Sequence, residues 1–149
     1  GEAHIPLPLM PRAMSLRHLH ATARTVADIT GVWPHVYRPP FGVLTPGLSR
    51  LLRSSGYLPV LGDIYPEDPQ TPGVDRIVRR VVSRLRGGSI VILHDASAVR
   101  DFDRGQTIAA VEQILQAATA HGLRAIPVGE LAAMHGITPA SFPDGAVSR

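Results

Sequence analysis

Apolar residues along this chain recur in two periods. Leu16, Leu19, Ala23, Val26 and Ile29 are spaced as on one helix face, with Ser15 as N-cap and Gly31 as stop. Leu48, Leu51 and Leu52 repeat the pattern behind Thr45-Pro46, a cap followed by proline at the first helical position, and Gly56 ends that helix. Thr71-Pro72 opens a third helix, in which Val74, Ile77, Val78, Val81, Val82 and Leu85 form a wide apolar stripe. A fourth is predicted over 106–121, with Ile108, Val111, Ile114, Leu115 and Ala118 inward and Gly122 as stop; a short fifth covers 130–135. Between these helices lie short runs of strand type at 35–38, 57–61, 89–95 and 124–128. Residues 1–13 hold three prolines in this reading and form a loop.

The order is loop-α-β-α-β-α-β-α-β-α. Strands alternating with helices predict parallel β/α units with right-handed crossovers. The chain is organised around Ser89-Ile90-Val91-Ile92-Leu93-His94-Asp95, an apolar run led in by Gly87-Gly88 and read as a fully buried strand. It ends in a histidine. In α/β folds chemistry collects where parallel strands end at their carboxyl side, which makes His94 the first candidate. The other reading is a capping or core histidine that only satisfies a neighbour.

Two further strand exits carry polar groups. Arg38 leads into the rigid turn Pro39-Pro40-Phe41-Gly42, and Asp63 is followed by Tyr65-Pro66-Glu67-Asp68-Pro69. Parallel strands put these exits on one rim. There His94 can serve as general acid or base with Asp68 orienting it, and Arg38 can hold a carboxylate or developing negative charge. Asp63 and Asp95 read either as rim chemistry or as strand-end residues that bond backbone. The arginines 76, 79, 80, 84 and 86 read as a solvated helix face. Tyr65, Trp33 and Tyr37 read as packing residues. His18 and His20, two apart on a helix, face different ways and do not share a metal.

Composition narrows the classes. With 149 residues and 44% hydrophobic content there is enough chain for one packed core, not for two full-sized domains. The net charge is +3 and every basic residue is arginine, with no block of them interleaved with aromatics, so nucleic acid is not an expected partner. The absence of cysteine excludes disulfides and thiolate metal ligands. No apolar run approaches the roughly 20 residues of a membrane-spanning helix. The opening Gly1-Glu2-Ala3-His4 reads as the end of an element begun earlier, so the chain is expected to be a piece of a longer one.

Taken in order, Arg38-Pro39-Pro40-Phe41-Gly42, then 62–68 (Gly-Asp-Ile-Tyr-Pro-Glu-Asp), then 72–78 (Pro-Gly-Val-Asp-Arg-Ile-Val), then 87–95 (Gly-Gly-Ser-Ile-Val-Ile-Leu-His-Asp) resemble the later motifs of the polysaccharide deacetylases, the NodB-type carbohydrate esterases. Residues 103–107 and 128–131 are similar to that family's last third. The resemblance implies a partial distorted (β/α) barrel of parallel strands with outer helices, lacking its first β/α unit. It assigns 1–137 to that domain and leaves 138–149 as a flexible tail.

The implied activity is removal of acetyl groups from an N-acetylated glycan, with zinc or another divalent metal polarising the amide carbonyl and a water. By the same resemblance His94 is the acid that protonates the leaving amine and Asp68 its partner. Arg38 orients the base aspartate, Phe41 offers its backbone N–H to the oxyanion, and Ile92 lines the acetyl pocket. Asp63 stands with Ile92 as a substrate-side candidate, and His4 matches a metal ligand. The chain departs from the pattern at three places. The Asp-Asp pair is missing and expected upstream of residue 1. Pro8 occupies the second metal-histidine position, and Pro69 stands where tryptophan is expected. One matching metal ligand instead of three predicts that this chain alone binds metal weakly or not at all. A catalytically inactive glycan-binding or structural relative, and a deacylase of a small amide, are the other readings. The resemblance makes an extracytoplasmic or cell-envelope location an expectation and leaves oligomeric state open.

Overall fold

The computed structural model describes residues 6–96 and 104–137. The chain divides into two compact units, one made by residues up to 61 and from 132 onward, the other by residues 62–131. His4, residues 97–103 and the expected tail at 138–149 lie outside the described residues.

In the first unit a short 3-10 turn at Leu7–Leu9 leads through Pro11 into α1, Arg12–Thr30. Ser15 does not cap this helix. It sits buried inside the first turns, where its hydroxyl donates to the carbonyl of Leu7 at 3.2 Å. Pro11 stands at the N-cap position expected of serine, and its fixed φ sets the entry. Gly31 does end the helix, in the left-handed region at φ 71°, with its N–H on Ala27 O at 2.8 Å. The buried face of α1 is Ser15, Leu19 and Ala23; Ile29, expected inward, is 79% exposed.

Two-residue strands follow: β1, Val36–Tyr37, and β2, Leu58–Pro59, paired parallel with Val36 opposite Leu58. Leu58 and Val60 donate to His35 O and Tyr37 O, at 2.7 and 2.9 Å. Pro59 therefore falls at the position whose N–H would face away from β1, and its missing donor costs this pair nothing. Between the strands runs α2, Pro46–Ser54, capped as expected by the Thr45 hydroxyl accepting from Leu48 N at 3.2 Å. Leu7, Leu19, Ala23, Leu48, Leu52 and Tyr57 form the core of this unit.

In the second unit Ile64 and Val91 form a parallel bridge, with Asp63 N and Ile64 N donating to Ile90 O and Ile92 N donating to Ile64 O. This is the whole of the regular pairing that the 89–95 run makes among the described residues. Residues 89–94 are half-buried instead of fully buried, because among the described residues one neighbouring segment lies alongside to complete the ladder. Gly62 is required where that neighbour passes. A Cβ there would stand 2.8 Å from the carbonyl oxygen of Ile90 and overlap Ile92 Cγ1.

The third helix, α3, spans Val74–Val82 and begins at Gly73; Thr71 belongs to the preceding turn instead. The fourth, α4, spans Gly105–Ala120 and packs against α3 around Ile64, Ile77, Val81, Ala110 and Ile114. The buried face of α4 is Thr107, Ala110, Ile114 and Ala118. Ile108 and Leu115, expected inward, are 69% and 45% exposed. Ile114 and Ala118 face inward as expected, but the rest of the buried face is Thr107 and Ala110 and not Ile108 and Leu115, so the helix is turned by part of one residue step from the expected phase. Residues 124–127 are irregular, not the expected strand, and lead into α5, Val128–Met134. No helix among the described residues is long and apolar enough to cross a membrane.

Candidate active site

Asp68 is the centre of the second unit's polar chemistry. It starts a 3-10 turn, Asp68–Gln70, framed by two residues in the left-handed region, Glu67 at φ 59° and Thr71 at φ 51°. Neither is glycine, so each position stores on the order of 1 kcal/mol of backbone strain. The surroundings hold the turn in place. Arg80 of α3 donates from Nη1 to Pro66 O at 2.8 Å and pairs with Glu67 Oε2 at 2.7 Å. Gln106 Oε1 of α4 accepts from Gly73 N–H at 2.7 Å. Arg80 is therefore a tether of this loop and not a solvated residue; its place at the edge of the apolar stripe hid that in the sequence.

The Asp68 carboxylate is 0% exposed. Burying an ionised carboxyl is costly unless its lone pairs are met. Here Oδ1 accepts from His94 Nδ1 at 2.9 Å, and Oδ2 accepts from the His94 backbone N–H at 2.9 Å and from Thr107 Oγ1 at 3.2 Å. A carboxylate surrounded by donors has no hydrogen to offer, so Nδ1 carries the imidazole proton and Nε2 is the ring's other, available nitrogen. The His94 side chain is 32% exposed. The Tyr65 ring meets it edge-on, with centroids 5.9 Å apart. The arrangement is a histidine fixed in tautomer and direction by a buried carboxylate, which is the geometry of an oriented general acid or base.

The other candidates divide. Asp63 shares the second unit, but both its oxygens are engaged: Oδ1 by Ile90 N–H at 2.7 Å, Oδ2 by Arg86 Nη2 at 2.8 Å. Ile92 is half-buried beside Gly62, and Asp95 is exposed. Arg38 and Phe41 belong to the first unit. Arg38 is exposed at the exit of β1, and Phe41 is 68% exposed with a positive φ of 57° inside its 3-10 turn. A bulky side chain at that φ is strained backbone. His4 lies outside the described residues. Thr107, Gln106 and Arg80 were not singled out as site residues in the sequence. A polar residue in register with Ala110, Ile114 and Ala118 is the signal that points to Thr107.

No family model matches the chain. It is 37% identical over 100 residues to a peptidoglycan-N-acetylglucosamine deacetylase of Bacillus cereus, an alignment covering 66% of this chain and 45% of that protein. The family 4 carbohydrate esterase from Streptomyces lividans, solved in complex with acetate, superposes with a TM-score of 0.73 at 26% identity, over 85% of this chain and 62% of that one. Over this partial region the chain is a relative of the NodB-like polysaccharide deacetylases. The deacetylase-like fold is also shared with a family 4 acetyl xylan esterase from Clostridium thermocellum in complex with a cobalt ion, at a TM-score of 0.79 and 19% identity, over 94% of this chain and 66% of that one. The chain spans about half the length of the curated relatives it matches, chitooligosaccharide deacetylases among them. A divalent metal is the cofactor this family resemblance implies. Among the described residues no group of three or more His, Cys, Asp and Glu stands where it could hold one. The described donor set does not fit a metal.

Proposed function

We propose that this chain carries the proton-delivering part of an N-deacetylase that acts on the acetamido groups of an N-acetylated glycan of the peptidoglycan or chitooligosaccharide type. The observation that carries the reading is the Asp68–His94 pair, a buried carboxylate receiving both the ring Nδ1 and the backbone N–H of one histidine. Amide hydrolysis needs an acid at the departing nitrogen, since an amine leaves poorly as an anion. His94 supplies that proton from Nε2, and the Asp68 carboxylate stabilises the imidazolium that precedes the transfer. In this reading Arg38 and Phe41 contribute from the turn after β1, Arg38 as a charge holder and Phe41 through its backbone N–H. Ile92 and Asp63 flank the acetyl group. In this reading the metal-binding groups come from His4 and from residues outside the described set.

The assay is acetate release from chitooligosaccharide and from peptidoglycan by the protein carrying this chain, with a divalent cation supplied. The expected result is release that drops by at least about 100-fold in His94→Ala, the lower range for a lost general acid. Release unchanged by His94→Ala removes the acid assignment. No release from either glycan by the parent protein removes the activity.

A further inference from the structure

We infer that Thr107 is a positioning residue for the Asp68–His94 pair, an assignment whose catalytic consequence rests on the deacetylase reading above. A carboxylate rotates about its terminal torsion over a broad two-fold well. Two of the contacts that restrain Asp68 come from His94 itself, through the ring Nδ1 and the backbone N–H. They cannot orient the histidine independently of its own position. Among the described residues, Thr107 is the donor to this carboxylate that arrives from a separate element, its Oγ1 lying 3.2 Å from Oδ2. At that length the bond is weaker than most charge-assisted O–H···O contacts, so its part is to limit rotation more than to stabilise charge.

The position of that hydroxyl is well determined. Thr107 is buried in the first turns of α4, and α4 is seated by Ala110 and Ile114 against Ile77 and Val81. The β-branched side chain has few rotamers open to it in a helix. The adjacent Gln106 accepts from Gly73 N–H at 2.7 Å, so the start of α4 grips the loop within its strained stretch, at Asp68, and just after it, at Gly73. The rotation of α4 that leaves Ile108 exposed is what turns Thr107 inward. A hydroxyl buried on the apolar face of a helix is then accounted for by its acceptor.

The test is the tautomer of the His94 ring, read from two- and three-bond nitrogen–proton correlations in the full 149-residue chain with the ring neutral. The parent is expected to show Nδ1–H. Thr107→Val keeps the shape of the side chain and removes the hydroxyl; it is expected to raise the Nε2–H share severalfold, and Thr107→Ser to restore the parent pattern. Where the protein turns over, Thr107→Val lowers kcat about tenfold with KM unchanged, the size of one lost hydrogen bond, and Thr107→Ser recovers it. If Thr107→Val does not fold, Thr107→Ala carries the same readout. Ring signals unchanged in a folded valine or alanine variant overturn the assignment, as does a serine variant that behaves like valine. The tautomer needs no turnover, so a parent that releases no acetate sinks the deacetylase reading and leaves this one standing.

Discussion

The two units bury different kinds of residue. In the first, the core is Leu7, Leu19, Ala23, Leu48, Leu52 and Tyr57, with Tyr37 meeting Tyr57 edge-on at 6.3 Å; the Ser15 hydroxyl is absorbed by a backbone carbonyl. In the second, a comparable apolar cluster around Ile64, Ile77 and Val81 sits beside a fully buried carboxylate and a buried threonine. Apolar contacts are non-directional, so the first core confers stability and tolerates modest rearrangement. Hydrogen bonds to a buried carboxylate are directional and costly to leave unmade, so the second core confers one orientation of one histidine. The difference separates a unit that is mainly held together from a unit that is also aimed.

The largest expected effect is in the apolar unit. Leu52→Ala removes a fully buried side chain and is expected to cost about 2–5 kcal/mol by urea denaturation, while the His94 ring signals of the folded variant stay as in the parent. A shift of those signals would break the contrast. Asp68→Asn comes next, at about 1–3 kcal/mol, because the new amide N–H₂ faces donors and leaves a buried polar group unmet. Here the ring tautomer is expected to change as well, and stability lost with the tautomer retained would count against an orienting carboxylate. Gly62→Ala is expected to cost about 1–3 kcal/mol, since its methyl has the Ile90 carbonyl and the Ile92 side chain to displace. Amide exchange at Ile64 and Ile92 should speed up in that variant; unchanged protection would show that the bridge gives way without strain.

The smallest effect concerns pH. Burial raises the pKa of both Tyr37 and Tyr57, so the folded chain holds the phenolic proton more tightly than the unfolded chain does. Stability from this source is complete below the unfolded value of about 10 and falls as pH rises past it toward the folded values. A Tyr37→Phe, Tyr57→Phe variant is expected to show a flatter loss of stability over that alkaline range than the parent. An unaltered alkaline slope would place the titrating groups elsewhere.

Much of the local plan was legible in the residues. Thr45-Pro46 opens α2, Gly31 ends α1, and Ile77 and Val81 of the predicted stripe are the buried side of α3, because caps, left-handed stops and apolar periods act within a few residues. The meeting of His94 with Asp68 was anticipated from strand exits and from the family resemblance. Less legible were the strands. The 89–95 run pairs through one bridge and 124–127 pairs with nothing described, since a strand exists only where a neighbour offers the opposite half of the ladder. The tethering by Arg80 was also hidden, because an arginine at the edge of a stripe reads the same with or without a carboxylate across from it.

By itself, the order of residues determined which segments coil, that Gly31 stops α1, and that a histidine ends the apolar run at 89–95. The tertiary structure decided the phase of α4, and with it that Thr107 and not Ile108 turns inward. The reason is physical. Adjacent helix stripes differ by only about 100° and both carry small or apolar residues here, so periodicity leaves the rotation open. Packing against Ile77 and Val81, together with a buried carboxylate in need of a donor, selects one.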